Sequence, residues 1–259
     1  MIYFILFLAV ITALGVLFYW LYTDKTINYT KGQFENMSIS KNSIRHHDLG
    51  LFVALVSKIL KSKSSDDDSL ESHLVSLMLN DISVVFPKPQ MVKEILKDII
   101  DEQKEVDDNT ISIAKALGES IKKDKVKQQQ FLEFLAQIVF LDEETVYESE
   151  FLITVTEAFA LDSKVCNEIF KQFQKIPKIV KSKLDIEDAY KLLHVTKNSS
   201  MASIKEAYIS ELKKHHLNIV QKLGDSELYD ETYAEYYIVK STLKLKEIAK
   251  AYKILKYKS

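Results

Sequence analysis

An all-α fold follows from three features of the sequence. Apolar residues recur at helical spacing, first as Leu51, Leu55, Val56 and Ile59, then as Leu70, Leu74, Leu77 and Met78. No stretch alternates for long enough to demand a strand. Turn-formers are scarce, with five Gly and three Pro in 259 residues. A sandwich, barrel or doubly wound sheet needs many tight turns built on those two residues. Cys166 stands alone, which excludes an intramolecular disulfide and any multi-cysteine metal or iron–sulfur site. Charge is balanced, 35 Lys plus Arg against 37 Asp plus Glu, so no global field favours nucleic acid or an acidic partner.

The first element reads as a transmembrane helix over residues 1–23. Met1 to Thr23 carries no charged side chain, and Ile2 to Tyr22 is a mostly apolar run of 21 residues. As a helix it spans about 31 Å, matching a hydrocarbon core of about 30 Å. Tyr19, Trp20 and Tyr22 gather where amphipathic rings favour the headgroup layer. A cleaved signal peptide is the rival, but the run lacks a basic start and leaves through the bulky Phe18-Tyr19-Trp20-Leu21-Tyr22. Lys25, Lys31, Lys41 and Arg45 follow it, so the positive-inside rule places the C-terminal bulk in the cytoplasm. Ala9 and Ala13, one turn apart beside Thr12 and Gly15, offer a close-approach face for a homodimer.

Residues 24–48 read as a polar linker. His46 and His47 are adjacent on a flexible stretch and make a poor metal pair, so they read as solvated linker histidines. Asn28-Tyr29-Thr30 and Asn36-Met37-Ser38 match glycosylation acceptors, which carry no meaning on a cytoplasmic side.

Residues 49–175 form a helical middle domain with an internal repeat. Phe52-Val-Ala-Leu-Val-Ser-Lys-Ile-Leu aligns with Phe131-Leu-Glu-Phe-Leu-Ala-Gln-Ile-Val. After a polar break, Leu70-Glu-Ser-His-Leu-Val aligns with Tyr147-Glu-Ser-Glu-Phe-Leu. Each copy is a helix, an acidic loop and a second helix, and two such hairpins would bury their apolar faces against each other. Pro87 and Pro89 break the chain and suit the first turn of the next helix.

This pattern resembles the TerB family of small all-helical domains, whose repeat runs from an apolar helix through an Asp-Gly turn to a Glu opening the next helix. The second copy keeps Leu141-Asp142-Glu143-Glu144 and then Glu148, with Glu143 where the family has Gly. The first copy has Lys63-Ser64-Ser65 at the turn, followed by Asp66-Asp67-Asp68 and Glu71. The resemblance implies a divalent cation on Asp142, Glu143, Glu144 and Glu148, since oxygen-rich clusters suit hard cations. The competing reading needs no ion, because acids at helix starts cap backbone amides and complement the helix dipole.

Residues 176–184 are a basic connector carrying the last proline, Pro177. Beyond it, Asp185 can cap a short helix ending near Leu193, and Asn198-Ser199-Ser200 can cap the next. Ile204, Ala207, Tyr208 and Leu212 form one apolar face, and Leu245, Ile248, Ala249, Tyr252 and Leu255 another. The two helices would pack antiparallel across a loop at about residues 216–227.

Over residues 185–259 the chain resembles the J-domain of the DnaJ co-chaperone family. The landmarks are Ala189-Tyr190 and Leu193-His194-Val195, where the family has a glycine between Leu and Val, then Ile204-Lys-Glu-Ala-Tyr208 and Glu247-Ile248 to Leu255. Anchor, TerB-like domain and C-terminal J-domain together resemble the membrane-anchored J-proteins of bacterial inner membranes, the DjlA type. The resemblance implies a DnaK-type chaperone as partner. It would be contacted through a His-Pro-Asp loop and a basic helix, here Lys205, Lys213 and Lys214. The loop departs from the family, reading His216-Leu217-Asn218. Leu217 lacks the locked φ of proline, and Asn218 cannot make the charge-assisted bond of a carboxylate. Glu206 and Ile209 also stand where a Lys and an Arg are usual.

No P-loop, nucleophile elbow, His-Glu-x-x-His or dinucleotide fingerprint occurs, so the sequence predicts no enzyme. Lys240 to Lys258 holds seven lysines and one acid, Glu247, but has no interleaved base-stacking pattern, so no nucleic acid is expected. No cofactor is required beyond the divalent cation just weighed. The reading that follows is an adaptor or scaffold at the bacterial inner membrane that stimulates a DnaK-type ATPase weakly or not at all. Its alternatives are an active membrane co-chaperone and a TerB-type stress or metal-response module.

Overall fold

A computed structural model describes residues 29, 31–62, 69–107, 109–141, 146–173, 184–220 and 231–258. Among them the chain forms eleven α-helices and no strand, so the fold is all-α. After a 3-10 turn at Lys31–Phe34 come α1 (Lys41–Arg45), α2 (Asp48–Ser62), α3 (Leu70–Ser83), α4 (Pro89–Glu105) and α5 (Thr110–Ser120). There follow α6 (Lys125–Val139), α7 (Val146–Ala158), α8 (Ser163–Phe173), α9 (Ile186–Leu192), α10 (Met201–His215) and α11 (Glu231–Lys256).

Local chemistry sets the helix starts. Asp185 Oδ1 accepts the Asp188 amide at 2.8 Å to open α9, and Ser200 Oγ accepts the Ser203 amide at 3.2 Å to open α10, as the sequence predicts. Pro89 stands in the first turn of α4, where its missing N–H costs nothing. Asp124 opens α6 by accepting the Lys127 amide at 2.8 Å.

Helix α2 is the hub, packing on α4, α5 and α6, while α4 also covers α3. The related segments of the repeat meet: Phe52 on α2 stacks on Phe131 of α6 with ring centroids 4.3 Å apart, and Phe134 closes on Phe52 edge-on at 5.6 Å. Two glycines permit close approach. A Cβ on Gly50 would lie 1.9 Å from the Ile44 carbonyl oxygen, and one on Gly118 2.5 Å from that of Ala158. At the C-terminus α9 and α10 both pack on α11. Tyr208 stacks on Tyr252 at 4.2 Å, and Ser241 Oγ donates to the His215 carbonyl. Residue 208 against 252 and 215 against 241 is antiparallel register.

Two expectations are corrected. The stretch ending at residue 48 is no bare linker from Tyr29 onward, because Tyr29, Phe34 and Ile44 are buried in the common core. Ser40 and Ser43 form a reciprocal capping box that starts α1. His47 is not a solvated linker residue either: its ring packs edge-on to Phe34 at 5.1 Å and Phe86 at 5.7 Å, and its Nδ1 lies 2.5 Å from Asp48 Oδ1. The second concerns the loop after α10, which is no plain connector between two helices: Leu217, Ile219 and Val220 are buried. The anchor over residues 1–23 and the 176–183 stretch of the connector lie outside the described residues. No helix among the described residues is long and apolar enough to cross a membrane.

Candidate functional site

Of the residues singled out in the sequence, His216, Leu217 and Asn218 are built into a site, the first two buried and Asn218 half-buried. His216 ends α10. A carbonyl only accepts, so His216 Nδ1 carries a proton and donates to the Lys213 carbonyl at 2.8 Å. Its Nε2 lies 2.6 Å from Asp81 Oδ2 on α3, with the His216 side chain only 5 % exposed. Leu217 is buried. Asn218 Oδ1 accepts the Val220 amide at 3.0 Å, a local turn that holds the loop's shape. The Asn218 carbonyl accepts from Gln130 Nε2 at 3.0 Å, and the Ile219 carbonyl from Lys127 Nζ at 3.1 Å.

These contacts converge on one face of α6. Lys127, Gln130, Glu133 and Gln137 follow at intervals of three, three and four, which places them in a row along a helix. All four are buried. Lys127 and Gln130 hold the loop; Gln137 Nε2 donates to Ser241 Oγ at 3.3 Å and Thr242 Oγ1 at 3.2 Å on α11. The row is therefore part of the seam between the middle of the chain and its C-terminal three helices, to which α3 and α8 also contribute. Further along, His73 of α3 meets Tyr208 of α10 edge-on at 5.1 Å.

Burial governs the charges there. It pushes the Glu133 carboxyl up to about 7, against a hydrogen bond from Gln129. It pulls the Lys127 ammonium down to about 8, opposed by the carboxylates of Asp124 and Asp48. Lys127 Nζ also lies 4.9 Å from the centroid of the Tyr29 ring, and Tyr29 OH donates to Asp48 Oδ2 at 2.7 Å. Burial and then the Asp48 charge hold the Tyr29 phenol well above its ordinary range. Burial alone would raise Asp48, but the bonds from His47, Tyr29 and the Leu49 amide outweigh it and keep the carboxyl below its ordinary value.

The predicted basic side chains are exposed on α10, unlike the buried His216 and Leu217. Lys205 and Lys213 line a shallow exposed cleft on α10 with Ala202, Glu206, Ile209 and Ser210. Lys214 Nζ pairs with Glu211 Oε1 at 2.5 Å. Asp142, Glu143 and Glu144 lie outside the described residues, and Glu148 is placed only as backbone in α7. Among the described residues no cluster of His, Cys, Asp and Glu could hold a metal ion. Asp81 and the α6 row were not singled out in the sequence. Their signal was there: four polar residues on one stripe of a helix whose other faces carry Phe131, Phe134, Leu135 and Ile138. Compared with protein-family models, curated proteins and solved structures, the chain matches none.

Proposed function

We propose that this protein is a membrane-tethered DnaJ-like adaptor, held at the inner membrane by residues 2–22 with its helical domains in the cytoplasm. It engages a DnaK-type chaperone or another protein partner without driving ATP hydrolysis. One observation carries the reading: the tripeptide at the His-Pro-Asp position is His216-Leu217-Asn218, and it is turned inward onto α3 and α6. A loop that lacks proline and carboxylate, and is buried as well, offers a partner ATPase little to contact. The C-terminal framework supports the J-like half of the proposal. A short capped helix and an antiparallel pair enclose Leu193, Ile204, Leu212, Ile248 and Leu255. His194 is left-handed, φ 54°, at the position where the family pattern has glycine. Lys205 and Lys213 line an exposed cleft on α10.

Single-turnover ATP hydrolysis by a DnaK-type chaperone, with and without the full chain, tests the reading. The expected result is a rate close to that of the chaperone alone. Strong stimulation by the unaltered protein would overturn the adaptor and make the chain an active co-chaperone. C-terminal reporter fusions test the topology, and activity of a periplasm-only reporter would end it.

A further inference from the structure

We infer that the seam between α6 and the C-terminal three helices is a latch, closed with residues 216–220 hidden and open with them presented to a partner. The latch rests on the J-like reading only for the identity of that partner.

The α6 part of the seam is polar, beside an apolar part made by Leu217, Ile219 and Val220 that belongs to the common core. Fused helices bury apolar side chains against one another, as Phe52 and Phe131 do between α2 and α6. Here the α6 row is Lys127, Gln130, Glu133 and Gln137, and its bonds go to main-chain carbonyls and hydroxyls of the C-terminal unit. Water can replace each of those bonds when the unit lifts, so opening forfeits little of their free energy. Closure also carries costs that opening relieves. Lys127, bonded across the seam, is taken out of water, and Gln137 Oε1 finds no hydrogen-bond partner among the described residues. Interfaces between units that separate are more polar than permanent ones.

Each part has contacts of its own. The C-terminal unit keeps its own core of Leu193, Ile204, Leu212, Leu245, Ile248 and Leu255. The loop keeps two bonds of its own, His216 Nδ1 to the Lys213 carbonyl and Asn218 Oδ1 to the Val220 amide. What holds the latch shut is the His216–Asp81 contact and the burial of Leu217, Ile219 and Val220. Tyr29, close behind the apolar run, lies under the same Lys127 that grips the Ile219 carbonyl. The membrane-proximal segment is thus part of the closed state.

Hydrogen exchange on the full chain decides the matter. In the unaltered protein the amides of residues 217–220 should exchange through a partial opening, with weaker denaturant dependence than the amides of α2. Asp81→Ala and Gln130→Ala should each speed the loop amides about tenfold, equivalent to about 1.4 kcal/mol, and leave α2 unchanged. Loop amides that exchange only with the whole chain, or variants that leave loop exchange unaltered, would overturn the latch. If a variant fails to fold, the measurement on the unaltered chain still decides. Exchange needs no chaperone, so a failed latch and a failed ATPase result are told apart.

Discussion

Glu133→Gln should make the protein more stable at pH 8 and leave it nearly unchanged at pH 5. Glu133 is 4 % exposed, and burial raises its carboxyl from 4.5 to about 7. The folded chain therefore holds a proton between those values that the unfolded chain releases. Stability from this group is fully present below pH 4.5, falls as pH rises, and is lost above about 7. A shift of that size corresponds to about 3 kcal/mol between the two ends of the window. Against a typical total of about 5–15 kcal/mol this is large.

Glutamine is neutral throughout the window and keeps a carbonyl to accept from Gln129 Nε2, which donates to Glu133 Oε1 at 2.9 Å. Thermal melts of the two proteins at matched ionic strength, from pH 4.5 to 8.5, give the test. Every other titrating group is common to both, so the difference curve isolates Glu133. The difference should open between pH 5 and 7 and plateau above 7.5, with the variant melting higher by several degrees on a scale of roughly 2–4 °C per kcal/mol. Parallel curves, or a variant that melts lower at pH 8, would refute the picture of a carboxyl held neutral by burial on α6.

Further outcomes follow from single positions. His194→Gly should stabilise the protein by about 0.5–1 kcal/mol in denaturant unfolding, since φ 54° costs a side-chain residue more than glycine loses in entropy. Gly118→Ala should destabilise it by at least about 2 kcal/mol, because the added Cβ would sit 2.5 Å from the Ala158 carbonyl oxygen. Leu217→Pro with Asn218→Asp should restore some single-turnover stimulation of a DnaK-type ATPase, more than either change alone. The pair should also loosen the seam, since Leu217 is buried there. Chelation should leave the thermal melt unmoved, because a bound ion would couple metal to folding.

Much of the helical framework was legible because it rests on local chemistry. Asp185 and Ser200 are side-chain caps written next to the helices they open. Tyr208, Leu212, Ile248 and Tyr252 repeat at helical spacing and are buried as that spacing requires. The sequence also paired the apolar segments that begin at Phe52 and Phe131, and those two rings stack. The segment before residue 48 was not, because Tyr29, Phe34 and Ile44 are single apolar residues among polar ones, with no period for a pattern to catch. The α6 row went unrecognised for the opposite reason. A periodic reading assigns its polar stripe to solvent, whereas the fold lays a second helical unit over it.

The same logic gives the altered loop a physical account. Residue 217 sits where the backbone would accept proline: His216 has φ −73° and ψ 152°, the extended conformation that a residue before proline requires. The conformation of His216 does not forbid proline at the next position. What leucine supplies is apolar surface at a position 6 % exposed, which a proline ring fills less well. Asparagine at 218 keeps the side-chain oxygen that the Val220 amide needs while adding no charge to a half-buried turn. Each departure from His-Pro-Asp therefore suits a loop that spends its time against α3 and α6. The retained histidine fits as well, since its second ring nitrogen reaches Asp81 from the middle of the chain. On the proposed function, the residues that would weaken signalling to an ATPase are the residues that hold the loop closed, so one set of contacts explains both.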